Sequence, residues 1–78
     1  MFIEVNSMLL RRINDLRIDN DLSIAQLARN INVSPRSLQY YLKGQYELPI
    51  PILLDIANYF NVSTDYLLGR TDNKEINR

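Results

Sequence analysis

The sequence predicts an all-α domain of five short helices. Apolar residues recur at spacings of three and four in four segments, as on one buried helix face. These segments, and a fifth shorter one, are bounded by residues that start or stop helices. No strand pair, internal repeat or low-complexity tract competes with that pattern.

The first helix is expected over Met8–Asp19, with Ser7 as its N-cap and Leu9, Ile13 and Leu16 as its apolar stripe. The polar Asp-Asn-Asp after Ile18 ends it, and Asn20 is the expected left-handed closing residue. Ser23 caps the second helix, with Gln26 three residues on to complete a capping box. Ile24, Leu27, Ala28 and Ile31 form its apolar face, and the small Ala28 lets another helix approach closely. Ser34 caps the third helix, and Pro35 takes its first position, where a missing N–H costs nothing. Leu38, Tyr41 and Leu42 point inward by spacing, and Lys43-Gly44 stops the helix.

The fourth helix is expected to start near Pro51 and to bury Ile52, Leu53, Ile56, Ala57 and Phe60. Asn61 breaks it, and Val62 tucks under as an anchor. Ser63 caps a short fifth helix through Leu68, which Gly69 ends. Residues 8–70 are thus the folded domain, between an N-terminal arm (1–7) and a polar C-terminal tail (71–78) expected to be mobile. The arm, with Phe2-Ile3-Glu4-Val5, reads equally as a strand, a dimer arm or disorder.

The chain has 78 residues, enough for one domain with a modest core. It contains no cysteine and no histidine, so disulfides, thiolate sites and imidazole chemistry are excluded. No metal or cofactor is expected. With only Gly44 and Gly69 there is no glycine-rich phosphate loop, and no activating base accompanies any serine. Asp15, Asp19 and Asp21 read as solvated charge around a turn rather than as a catalytic or metal-binding set. An enzyme is not expected. No apolar run approaches the roughly 18 residues that span a bilayer, and no signal peptide is evident. A cytoplasmic protein without a membrane partner is expected.

Nine Lys/Arg balance nine Asp/Glu. Six of the basic groups lie in residues 1–44 against four acidic ones, so a weak positive face belongs to the first half. The second and third helices, joined by a short turn, are a helix-turn-helix arrangement. In that motif the second helix enters the major groove of DNA and the first crosses the backbone. With 38, 41 and 42 inward, the outward set is Pro35, Arg36, Gln39, Tyr40 and Lys43. Arginine pairs two donors with guanine and glutamine pairs with adenine. Tyr40 suits a sugar, a thymine methyl or a protein interface. Ser37, Lys43 and the Tyr46 hydroxyl are candidates for phosphates, as is the start of the second helix at Ser23. Tyr59 and Tyr66 are candidates for a dimer surface, because operator-reading domains commonly work as two-fold dimers.

The stretches LRIDNDLSIAQLA (Leu16–Ala28), INVSPRSLQYYLKG (Ile31–Gly44), LLDIANYFNVS (Leu53–Ser63) and DYLLGR (Asp65–Arg70), with Pro49 between them, resemble the lambda-repressor-like, Cro/C1-type helix-turn-helix domains, the XRE family. The resemblance covers roughly residues 8 to 70. It implies a compact five-helix lambda-repressor-like fold with a central helix-turn-helix. It also implies binding to double-stranded DNA, usually as a homodimeric transcriptional repressor of bacterial, phage or mobile-element origin. On that pattern Pro35 and Arg36 take the first exposed recognition-helix positions, and Gln39 and Tyr40 the next outward pair. Lys43 stands where the family often has asparagine before the glycine.

The departures concern DNA contacts more than the fold. Ile24 replaces a phosphate-touching glutamine, and Leu42 a glutamate. Asn20 or Asp21 replaces a glycine, Pro35 brings no hydrogen bond, and the loop Gln45–Leu48 lacks basic residues. The competing reading is therefore a protein-interaction module on the same fold, such as an antirepressor or a toxin-antitoxin or phage-switch partner. An apolar patch centred on Tyr40 and Ile24 would mark it.

Overall fold

The structure is a computed structural model that describes the backbone of residues 2–76 and the side chains of residues 8–76. Met1, Asn77 and Arg78, parts of the expected arm and tail, lie outside the described residues. Five helices follow in order: α1 (Phe2–Asp19), α2 (Ile24–Asn30), α3 (Pro35–Leu42), α4 (Ile50–Phe60) and α5 (Thr64–Leu67). The described residues contain no strand. None of their helices is long and apolar enough to cross a membrane.

Each helix closes on a left-handed residue: Asp21, Asn32, Gly44, Asn61 and Gly69, with φ of 56°, 61°, 79°, 56° and 80°. After each one the chain folds back on the helix it has left. The following amide then reaches a carbonyl five residues upstream. Leu22 N–H donates to Arg17 O (3.0 Å), Val33 to Ala28 (2.8 Å), Gln45 to Tyr40 (3.0 Å), Val62 to Ala57 (3.0 Å) and Arg70 to Asp65 (2.8 Å). These tight reversals let five short helices wrap one core within 78 residues.

The starts are as regular. Ser23 Oγ accepts from Gln26 N–H, and the Gln26 side chain returns to Ser23 N–H, so the capping box forms. Ser34 and Ser63 cap α3 and α5 from their side chains. Pro35 stands at the start of α3. Helix α4 begins one residue earlier than expected, after Pro49, with no side-chain cap.

The core is a single cluster. Leu9, Ile13 and Leu16 of α1 meet Leu27, Ala28 and Ile31 at α2, and Leu38 and Leu42 of α3. Leu53, Ile56 and Ala57 of α4, with Val62 and Leu67, close it from the other side. Among the described residues no polar or charged residue is buried. Helix α2 packs on α3, α1 on α3 and α5, and α4 on α5.

Four expectations are corrected. Helix α1 begins at Phe2, so Ser7 is a helical residue and not an N-cap, and residues 2–7 continue α1 rather than form a strand. The left-handed residue after α1 is Asp21, not Asn20. The Asn20 side chain instead donates to Leu16 O at 2.8 Å, holding Asn20 to the last turn. Tyr41 is half-buried beside a surface cleft rather than sealed in the core.

The fourth correction concerns the tail, which is tied down over Thr71–Lys74. Arg12 of α1 donates to Tyr66 O (2.5 Å) and Thr71 O (2.6 Å) and pairs with Asp72 (2.8 Å). Its guanidinium lies 4.2 Å from the centroid of the Tyr66 ring. Ser63 N–H donates to Lys74 O at 2.9 Å.

Candidate nucleic-acid interface

The physical basis of the candidate interface is the two-sidedness of α3. Leu38 and Leu42 are buried, at 0% and 7% exposure. That fixes the rotation of the helix. Pro35, Arg36, Gln39, Tyr40 and Lys43 are consequently all exposed. Arg36, Gln39 or Tyr40, and Lys43 follow one another at helical spacings, so they form one row along the outer surface. Among the described residues the ion pairs are Arg12–Asp72 and Arg70–Asp65, so neither Arg36 nor Lys43 is neutralised by a described carboxylate.

Tyr46, expected only as a hydroxyl in the loop, belongs to this row. Its ring meets that of Tyr40 edge to face, with centroids 5.6 Å apart and planes at 87°. The signal for this was in the sequence: Gly44 forces the reversal that returns the chain over the last turn of α3. Reading the loop by composition alone missed the pairing.

The other expected positions separate. Ser23 is exposed at the start of α2, but its Oγ and its N–H are both engaged in the capping box (3.1 and 2.8 Å). Its hydroxyl proton is the group left over. Ser37 is half-buried and stands one turn from Tyr41, not in the Arg36–Lys43 row. Both line an open cleft of ≈ 710 Å³ between the α2–α3 turn and α4, with Asp55, Asn58 and Tyr59 across from them. Tyr59 is exposed, and its hydroxyl accepts from Asn30 Nδ2 at 2.8 Å. Tyr66 is half-buried, with the Arg12 guanidinium over its ring and Lys74 Nζ 5.7 Å from the centroid. Its ring therefore packs within the chain; Tyr59 also packs edge to face on Phe60 (5.0 Å between centroids) but is the more exposed of the two tyrosines assigned to a dimer surface.

Ile24 is half-buried and packs against the core, so it forms no exposed patch with Tyr40. Isoleucine at this position extends the core. Among the described residues no group of three or more Asp and Glu is arranged to hold a metal ion.

Comparison with known proteins agrees with the fold. A helix-turn-helix family model matches residues 13–67, from the middle of α1 to the end of α5. The chain is 32% identical over 68 residues to YobD of Bacillus subtilis (strain 168), an uncharacterised HTH-type transcriptional regulator. That match covers 87% of this chain and 61% of YobD. It is 29% identical over 62 residues to the HTH-type transcriptional regulator ImmR of the same organism, covering 80% of this chain and 49% of ImmR. The chain thus spans about half to three-fifths of the length of these relatives. No solved structure matches it at the same significance. The chain belongs to the Cro/C1-type (XRE) helix-turn-helix family.

Proposed function

We propose that the chain is a sequence-specific regulator of transcription, acting as a repressor, which lays α3 in the major groove of double-stranded DNA. The observation that carries this reading is the exposed row Arg36, Gln39, Tyr40 and Lys43 on a helix whose opposite face is sealed in the core. A helix with its side chains is roughly 10–12 Å across, well matched to a groove about 12 Å wide. Arg36 supplies two donors for a guanine edge, and Gln39 pairs with an adenine. Pro35 packs its ring at the groove floor. Lys43 and the hydroxyls of Tyr46 and Ser23 serve the phosphates, which fix register without reading sequence.

A chain of zero net charge gains little from non-specific attraction. Two copies on a two-fold site overcome that weakness, because the second half-site is then met at high effective concentration. Tyr59 is the exposed tyrosine available for such pairing. The place of action is the cytoplasm, with the DNA.

A second reading, a module that binds a protein partner, draws on α4. Ile50 and Leu54 stand one turn apart there and are 70% and 48% exposed. Selection of duplexes from a random pool at low salt, followed by titration at rising salt, separates the two. The regulator reading expects a two-fold sequence whose affinity falls with salt. A pool from which nothing is enriched would overturn it in favour of the protein partner.

A further inference from the structure

Thymine is the one base that presents an apolar group, its 5-methyl, in the major groove. A surface built to find it should be apolar, rigid and flanked by cations. The Tyr40–Tyr46 pair has those properties. Left-handed Gly44 turns the chain back at the end of α3, with Gly44 N–H donating to Tyr41 O and Gln45 N–H to Tyr40 O. Tyr46 thereby arrives edge to face on Tyr40, at 5.6 Å between centroids. An unaccompanied tyrosine on a helix surface exchanges rotamers freely, and an aromatic neighbour in this geometry restricts it. The pair remains open outward, with Tyr40 37% and Tyr46 63% exposed. Arg36 stands one turn before Tyr40, and Lys43 nearly one turn after it.

We propose that Tyr40 reads thymine, setting its ring against the 5-methyl group in the groove, and that Tyr46 is the positioning residue that holds the ring there. The inference rests on duplex recognition by α3 and adds which base this part of the helix selects. Tyr46 acts through Tyr40. This positioning part is carried by the ring, so phenylalanine should keep it while losing the phosphate contact of the hydroxyl.

The test uses the full chain and its selected duplex, with each thymine replaced in turn by deoxyuridine, which removes only the methyl. Burying one methyl is worth about fourfold in Kd. The wild type should lose about that factor at one position of each half-site. Tyr40→Ala should bind thymine and deoxyuridine duplexes equally, which cancels any effect of the methyl on the DNA itself. Tyr46→Phe should keep the discrimination and Tyr46→Ala should blunt it. Far-ultraviolet circular dichroism establishes that each variant is folded.

A wild type indifferent to every deoxyuridine, or a Tyr40→Ala chain as sensitive as the wild type, overturns the assignment of Tyr40. A selected site with no constant thymine does the same. Full discrimination in Tyr46→Ala overturns the positioning role. Duplex binding with no methyl sensitivity refutes this inference alone, whereas the absence of any duplex binding refutes α3 recognition and this inference with it.

Discussion

Replacing Arg12 by methionine keeps most of the aliphatic stem and removes the guanidinium. In the structure that group donates to two backbone carbonyls, Tyr66 O at 2.5 Å and Thr71 O at 2.6 Å, and covers the Tyr66 ring at 4.2 Å. Its side chain is only 14% exposed, so these interactions are partly shielded from water. A hydrogen bond from a charged donor contributes about 1.5–3 kcal/mol, and a cation over an aromatic face about 0.5–2 kcal/mol. The groups share one side chain and do not add, so the loss expected is about 2–4 kcal/mol. A domain of this length has about 4–12 kcal/mol in total.

Urea denaturation of Arg12→Met should therefore show a large fall in midpoint with an unchanged slope. Asp72→Asn is the internal control, because the Asp72 side chain is fully exposed and its pairing should hardly move the midpoint. The variant should also lose hydrogen-exchange protection at the Ser63 amide, whose acceptor is Lys74 O. An Arg12→Met midpoint no lower than that of Asp72→Asn would show that the tail is not held by this clamp.

Other outcomes follow from single positions. Ser23→Ala removes the hydroxyl that accepts from Gln26 N–H, leaves the bond from the residue-23 N–H to the Gln26 side chain, and should cost about 1 kcal/mol by thermal denaturation, with duplex affinity falling further through the lost phosphate contact. Gly69→Ala should destabilise by about 1–2 kcal/mol, since φ is +80° and the new Cβ would lie 2.7 Å from Met8 Cγ. Calorimetric melting checks it, and an unchanged melting temperature would contradict the geometry. Lys43→Ala should weaken duplex binding evenly across sequences and lower the salt slope by about one. Anisotropy titrations at several salt concentrations would expose any sequence-dependent effect, which the phosphate role does not allow.

What was legible in the sequence was local. Ser23 with Gln26, Ser34 with Pro35, and Gly44, Asn61 and Gly69 mark ends through interactions that span only a few residues, and each behaves as its chemistry suggests. Errors arose where two local solutions compete. Ser7 can cap a helix or sit within one, and no glycine or proline separates it from Phe2, so α1 simply continues. Asn20 and Asp21 are both suited to the left-handed position. The bond from Asn20 to Leu16 O keeps the helix going one residue further and passes that position to Asp21.

The tail failed for a different reason. Its polar composition says mobile, but its anchor is Arg12, 59 to 60 residues distant in sequence. No periodicity reports such a contact. The candidate site was legible in its outward row, since burial of Leu38 and Leu42 follows from spacing alone. The Tyr40–Tyr46 pairing was legible only as far as the reversal that Gly44 signals, because where the Tyr46 ring lands depends on the path of the chain beyond it.

The placement of α3 against a duplex is tested most directly by following backbone amide resonances of the full chain as its selected duplex is added. The largest perturbations should fall between Arg36 and Tyr46, with smaller ones at the start of α2. Perturbations concentrated on Ile50–Phe60, with α3 unmoved, would contradict it.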